Sequence, residues 1–198
     1  MNENRVWTVP NLLSLLRILL TPVFIWAMVA RRPKEALLVF VAASLTDALD
    51  GFTARVFKLK SRLGLWLDPV GDKILLTAAF VTLTIPGLAA PNSIPFSLTA
   101  ICIGRDVLIA AAAALIRSSR GPTVFKPRLL GKTSTVVQFS TLLAVTAANS
   151  LGRTVAPLPW LYYAAGIVTC LSGFDYAFYE ARRQKAFEKR TDLGEERT

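Results

Sequence analysis

Asp47, Asp50, Asp68 and Asp72 are the residues of this chain from which chemistry can most readily be built. They lie in "LTDALDGFTARVFKLKSRLGLWLDPVGDKI", residues 45–74. If residues 45–55 end one helix, Asp47, Asp50, Gly51 and Ala54 fall at i, i+3, i+4 and i+7, one face, with Arg55 at its edge. If residues 64–74 begin the next, Gly64, Asp68, Gly71 and Asp72 fall at i, i+4, i+7 and i+8, again one face. Two such helices facing each other gather four carboxylates into one pocket, and the small residues beside them leave room for a ligand.

Four carboxylates in one site repel one another and require countercharge. Hard divalent cations such as Mg²⁺ or Mn²⁺ prefer oxygen ligands and bridge readily to phosphates. A pair of them would form a clamp for phosphoryl transfer, with Arg55 and Lys73 available to neutralise what remains. The competing reading, helix-end aspartates held by neighbouring lysines and arginines, suits one such residue better than four. An ionisable group within a membrane costs at least about 2.5–3.5 kcal/mol on insertion scales.

The elements that must position these residues are those of a membrane protein. Of 198 residues, 53 % are apolar, and the mean hydropathy is +0.47, too greasy for an ordinary soluble domain. The net charge of +10 sits in short runs between apolar segments, which favours lipid headgroups and anionic substrates over nucleic acid. There is no histidine, so neither a histidine general base nor a Cys/His zinc site is available. Cys102 and Cys170 lie far apart in apolar stretches and read as packing residues.

Six stretches approach the length needed to cross the hydrocarbon: about 11–30, 35–54, 65–88, 95–116, 133–152 and 156–177. Breakers separate them at Arg31-Arg32-Pro33, "KLKSR", "PGLAAPNSIP", "SSRGPTVFKPR" and "SLGRTVAPLP". The fold class expected is all-α, an integral membrane bundle of six transmembrane helices. Basic residues crowd the second and fourth connections and the tail, which places both termini and the aspartate end in the cytoplasm. "RRPK" after the first helix runs against that pattern. The N-terminus "MNENRVWTVP" lacks the basic region and cleavage site of a secretory signal and is no transit peptide. Residues 1–180 read as one membrane domain. The charged remainder, 181–198, reads as a cytoplasmic tail that frays into solvent.

The aspartate segment has the full pattern D-x2-D-G-x2-A-R-x8-G-x3-D-x3-D and thereby resembles the CDP-alcohol phosphotransferase (phosphatidyltransferase) family. Eight fixed residues at fixed spacing make the match highly specific. "TVPNLLSLLRILLTPVFI" is similar to the opening of the phosphatidylglycerophosphate synthases of that family, and "LLGKTSTVVQF" to the segment before their fifth helix. The last helix and tail match only in hydropathy.

The resemblance implies a six-helix membrane enzyme in which an alcohol displaces CMP from a CDP-linked lipid, here CDP-diacylglycerol, in the presence of two divalent cations. It implies that Asp47, Asp50, Asp68 and Asp72 bind the metals and that Asp72 also accepts the proton of the attacking hydroxyl. Asp72 is one helical turn from Asp68, so it can share a metal and still reach an acceptor. The resemblance further assigns Gly51, Ala54, Arg55 and Ser61 to the CDP-lipid, with Pro10 and Asn11 beside the nucleotide. It implies a homodimer as well, and the compact chain suits a bacterial inner membrane.

For the acceptor, Arg105, Lys126, Arg128 and Lys132 are the candidate residues. Arg105 stands with Asp106 in the apolar run "ICIGRDVLI", where charge calls for an ion pair or a pocket. Lys132 opens the fifth helix beside several hydroxyls. An acceptor carrying phosphate is expected, with glycerol 3-phosphate the first expectation. "IGRDVLI" also resembles the cardiolipin synthases of the same superfamily, whose acceptor is phosphatidylglycerol. From other classes, a transporter would spread its carboxylates through broken helices, and a non-catalytic scaffold would show a damaged motif. Neither is seen.

Overall fold

A computed structural model of the chain describes residues 9–57, 64–120 and 129–195, with side chains described for 12–46, 71, 73–115 and 129–179. Six helices follow in order: α1 Val9–Val29, α2 Pro33–Phe57, α3 Gly64–Thr84, α4 Phe96–Arg120, α5 Leu129–Ser150 and α6 Leu158–Glu195. No strand occurs among the described residues. The helices coincide with the expected apolar stretches except at their ends. The largest difference is α6, which continues as one helix through the charged segment expected to fray. Its Ala, Arg, Gln, Lys and Glu residues are strong helix formers, and composition alone does not decide whether a polar segment unwinds.

Two helical segments, Leu12–Val29 and Phe96–Leu115, are long and apolar enough among the described residues to cross a membrane. The distribution of polarity supports a lipid surrounding. Leu12, Leu15, Leu16, Leu19, Val23 and Trp26 of α1 face outward, while Ser14, Arg17 and Thr21 are buried. In α5 Ser134, Gln138, Thr141, Thr146 and Asn149 are buried beside Leu142 and Val145, while Val136 is outside. A water-soluble protein does the reverse. Hydroxyls in this bundle satisfy themselves on the preceding turn, as Ser44 does on the Phe40 carbonyl, Thr82 on Ala78 and Thr146 on Leu142.

The chain forms two compact units. The first comprises residues 1–99 and 139–162, which include α1, α2, α3 and the second half of α5. Within it α1 packs on both α2 and α3. The turn between α1 and α2 is only three residues long and contains Arg31 at φ 56°. Arg32 stacks over Trp26 at 5.3 Å and donates to Glu35 at 3.1 Å, so part of the "RRPK" charge is locally balanced. Phe24 and Phe40 meet at 5.8 Å between ring centroids, and Phe40 stacks on Phe139 of α5 at 5.2 Å.

Two buried asparagines tie the connection after α3 to the end of α5. Asn149 Oδ1 accepts from the backbone N–H and Nδ2 of Asn92, both at 2.9 Å, while its own Nδ2 donates to the Asn92 carbonyl at 2.9 Å. Gly152, at φ 62°, then ends α5 in a left-handed turn, with its N–H on the Asn149 carbonyl and that of Arg153 on Ala148.

The second unit comprises residues 100–138 and 163–198: most of α4, the first half of α5 and most of α6. Its interior is polar. Thr169 Oγ1 meets Ser134 Oγ at 3.1 Å and Cys102 Sγ at 3.9 Å, and Gln138 Nε2 donates to both Thr169 and Ser134. Hydrogen bonds of this kind join helices where apolar burial cannot. The two cysteines part company here: Cys102 is buried as expected, but Cys170 is exposed on the outer surface, because lipid accepts an apolar thiol as readily as a core does.

Candidate active site

The fixed pattern occupies the end of α2 and the beginning of α3. Asp47, Asp50, Gly51, Ala54 and Arg55 lie in the last turns of α2, and Gly64, Asp68 and Asp72 in the first turns of α3. Both assignments agree with the helix-face argument. Pro10 and Asn11 lie in the first turn of α1. The side chains of these residues lie outside the described ones, as do Ser61, Lys126 and Arg128 altogether.

The helices nonetheless give the aspartates a register. Ala36, Phe40 and Ala43 are fully buried on α2, and positions 47, 50 and 54 continue the same stripe at helical spacing. On α3 the stripe of Gly71, Leu75, Ala79 and Leu83 is buried, and 68 and 72 adjoin its start. Gly71 lies against α1: a methyl group added there would stand 3.6 Å from the Ser14 carbonyl oxygen and 3.6 Å from Ile18 Cγ1. The aspartate end of α3 is therefore close to the first turns of α1. An all-carboxylate donor set suits Mg²⁺ or Mn²⁺ over softer metals. Among the described residues no three Asp, Glu, His or Cys side chains gather as a metal site.

In the second unit Arg105 has a defined environment. Its Nη1 donates to Asp106 Oδ1 at 2.8 Å and its Nη2 to Ser172 Oγ of α6 at 2.6 Å, with the side chain 13 % exposed. Two glycines clear its space. A methyl at Gly131 would come within 3.4 Å of Nη2, and one at Gly173 within 3.6 Å of Cγ. Arg105 Nε is buried without a hydrogen-bond partner. Lys132, one residue beyond Gly131, is exposed. An open apolar groove of about 680 Å³ is lined by Leu130, Leu171, Phe174, Asp175, Ala177 and Phe178, of which Leu130, Leu171 and Phe174 adjoin Gly131, Ser172 and Gly173 in the chain.

Arg17, Ser14 and Ser172 are absent from the sequence-derived site. For the first two a signal existed: Ser14, Arg17 and Thr21 repeat at helical spacing within an otherwise apolar run. Ser172 has no such signal, since its role depends on a partner 67 residues away.

Residues 7–172 match the family model described as CDP-alcohol phosphatidyltransferase. The chain is 35 % identical to human cardiolipin synthase (CMP-forming) over 87 % of its own length and 62 % of that protein's. It is similarly related to the rat cardiolipin synthase, spanning 61 % of it. It is 29 % identical to the Escherichia coli K12 CDP-diacylglycerol–glycerol-3-phosphate 3-phosphatidyltransferase, over 86 % of this chain and 93 % of that protein. The chain thus spans less than two thirds of the human and rat cardiolipin synthases. On its all-helical architecture, its intact aspartate pattern and a family match over most of its length, the chain belongs to the CDP-alcohol phosphatidyltransferase family.

Proposed function

We propose that this chain transfers the phosphatidyl group of CDP-diacylglycerol to the hydroxyl of phosphatidylglycerol, releasing CMP and forming cardiolipin. The reaction class rests on one observation, the complete aspartate pattern at the end of α2 and the beginning of α3 in a family member. The lipid acceptor is favoured by the apolar groove beside the Arg105 cluster, which suits an acceptor with acyl chains, and by the identity to cardiolipin synthases. A second reading, glycerol 3-phosphate as acceptor, is the one first expected from sequence. It is favoured by the Escherichia coli relative, whose whole length this chain nearly spans.

Asp47, Asp50, Asp68 and Asp72 would hold two divalent cations, Mg²⁺ or Mn²⁺, which when bound neutralise the diphosphate and ease departure of CMP. Asp72 takes the proton of the acceptor hydroxyl as its oxygen bonds to the phosphorus that carries diacylglycerol. The bond from that phosphorus to the CMP oxygen breaks, and CMP leaves with the electron pair. Arg55 binds donor phosphate through charge-assisted hydrogen bonds, with Gly51, Ala54 and Ser61 along the CDP-lipid and Pro10 and Asn11 by the nucleotide. Arg105, Lys126, Arg128 and Lys132 receive the acceptor's phosphate.

The remaining expectations complete this reading: six membrane spans, both termini and the aspartate end on the cytoplasmic side of a bacterial inner membrane, and a homodimer. The deciding experiment supplies purified protein in detergent with CDP-diacylglycerol and Mn²⁺. Phosphatidylglycerol and glycerol 3-phosphate are offered separately, CMP release is followed and each lipid product is identified. Cardiolipin formation supports the first reading, phosphatidylglycerophosphate alone supports the second, and CMP release with neither acceptor sinks both.

A further inference from the structure

The turn between α1 and α2 carries charge that the reaction does not use. Arg31, Arg32 and Lys34 follow one another closely and are all exposed, with Glu35 the one acid beside them. Arg32 is already engaged: its Nη1 donates to both carboxylate oxygens of Glu35, at 3.1 and 3.4 Å, and its guanidinium lies 5.3 Å over the Trp26 ring. Arg31 and Lys34 have no acidic partner among the described residues. Helix dipoles do not account for the set. They favour Arg31 and Arg32 just past the end of α1 but disfavour Lys34 in the first turn of α2.

The backbone points the same way. α1 and α5 end in the same hydrogen-bonded turn: Arg31 N–H donates to the Met28 carbonyl at 3.1 Å and Arg32 N–H to that of Ala27 at 2.9 Å, as Gly152 N–H does to Asn149 at 3.0 Å and Arg153 N–H to Ala148 at 3.1 Å. Each turn needs one residue in the left-handed region, Arg31 at φ 56° and Gly152 at φ 62°. Glycine adopts that conformation freely, and arginine does not. A side chain kept where glycine fits better points to a use for that side chain.

Its surroundings indicate the use. Val23, Trp26 and Val29 follow at helical spacing on the outward face of α1, and Leu38 faces outward on α2. The cations therefore adjoin a lipid-facing surface, with an indole near the boundary where membrane proteins place one. An anion that suits both has a charged head and apolar chains. It is not the reacting lipid, because Asp47 lies about 21 Å along α2 from Pro33.

We infer that the α1–α2 turn binds the headgroup of an anionic phospholipid, in the leaflet at the end of α2 remote from the aspartates. Arg31 and Lys34 hold the phosphate through charge-assisted hydrogen bonds, and Trp26, under the Arg32–Glu35 pair, packs beside the acyl chains. The inference rests on the membrane-spanning reading of α1 and not on the identity of the acceptor. A lipid bound there stabilises the folded chain, since the unfolded chain offers no such site.

The test uses Trp26 as reporter. The full chain carrying Trp7→Phe, Trp66→Phe and Trp160→Phe is placed in phosphatidylcholine vesicles, and its fluorescence is quenched with brominated phosphatidylserine or brominated phosphatidylcholine. Phosphatidylserine is anionic and is neither proposed substrate. It should be preferred at Trp26, and the preference should fall about fivefold for each charge removed by Arg31→Gly and Lys34→Gln, the attraction of one basic residue to an anionic leaflet. Arg31→Gly should unfold at or above the temperature of the reporter chain in phosphatidylcholine alone, because glycine relieves the turn. Lost lipid preference is thereby separated from lost fold. Equal quenching by the two lipids, or a preference undiminished in both variants, overturns the inference while leaving the span in place. Quenching by neither lipid sinks the membrane-spanning reading of α1 and the inference with it. Displacement of phosphatidylserine by inorganic phosphate, beyond that caused by chloride at equal ionic strength, would make the occupant a free anion and overturn the inference too.

Discussion

Arg105 of α4 and Ser172 of α6 are joined by a 2.6 Å hydrogen bond, Nη2 to Oγ, while Asp106 holds Nη1 at 2.8 Å. The guanidinium is thereby fixed on two sides, with Gly131 and Gly173 leaving the space it fills. A side chain so constrained can meet an anion with little loss of entropy. Interhelical hydrogen bonds in membrane proteins contribute about 0.6 kcal/mol on average and at most about 1.7. Ser172→Ala should therefore leave the fold nearly intact. If Arg105 receives the acceptor's phosphate, the same substitution should raise the acceptor KM several-fold with little change in the KM for CDP-diacylglycerol. Steady-state kinetics with each substrate varied in turn checks this, and equal changes in both would assign Arg105 a purely structural role.

Asp72 carries the sharpest prediction about chemistry. Asp72→Asn preserves shape and removes the group proposed to accept the hydroxyl proton, so CMP release should fall by at least about 100-fold, the scale of general base catalysis. The protein should remain in the membrane with an unchanged helical signal by circular dichroism. Chelation should abolish wild-type turnover, with Mg²⁺ or Mn²⁺ restoring it. Substantial turnover by the variant would remove Asp72 as the base.

The helices were legible in the sequence because they depend on local periodicity. Stretches of about 20 apolar residues mark the helices, and i, i+3 spacing puts Asp47 and Asp50 on one face of α2 whatever the tertiary structure. Arg17 was obscured by its surroundings, since in "LLSLLRILL" a single cation barely lowers the hydropathy. Its significance appears only with the burial of Ser14, Arg17 and Thr21 together. The bonds from Asn92 to Asn149 and from Arg105 to Ser172 span 57 and 67 residues, and pairing at such separation leaves no periodic trace in a single sequence. The charged segment after residue 180 continues α6 because its Ala, Arg, Gln, Lys and Glu residues favour a helical backbone whatever their charge.

Gly71 tests the approach of α1 to α3. A methyl group there makes only ordinary contact, 3.6 Å to the Ser14 carbonyl and to Ile18, so Gly71→Ala should fold and turn over close to wild type. Gly71→Leu has no room between the helices. It should cost about 1–3 kcal/mol, as overpacking does, and depress activity further because Asp68 and Asp72 flank the displaced position. Thermal unfolding and CMP release measured side by side check both variants. A fully active Gly71→Leu would show that the spacing of α1 and α3 does not govern the aspartate site.

Asn149 should matter to stability and not to chemistry. Its side chain makes four hydrogen bonds, two accepted from Asn92 and two donated to the carbonyls of Ala89 and Asn92, within a buried setting. Asn92 in turn donates to the Arg153 carbonyl and accepts from the Val155 N–H, so the pair knits the connection after α3 to the one after α5. Asn149→Ala deprives several buried backbone groups of their partners at once. Since each such group costs about 1–3 kcal/mol, a loss of roughly 3 kcal/mol is expected after partial relaxation. Asn149→Asp keeps the two accepted bonds and forfeits the two donated ones, so it should fall between Ala and wild type. Both variants, assayed well below their melting temperatures, should retain the wild-type KM for either substrate. A shifted substrate KM without loss of stability would mean that this end of the unit communicates with the site after all.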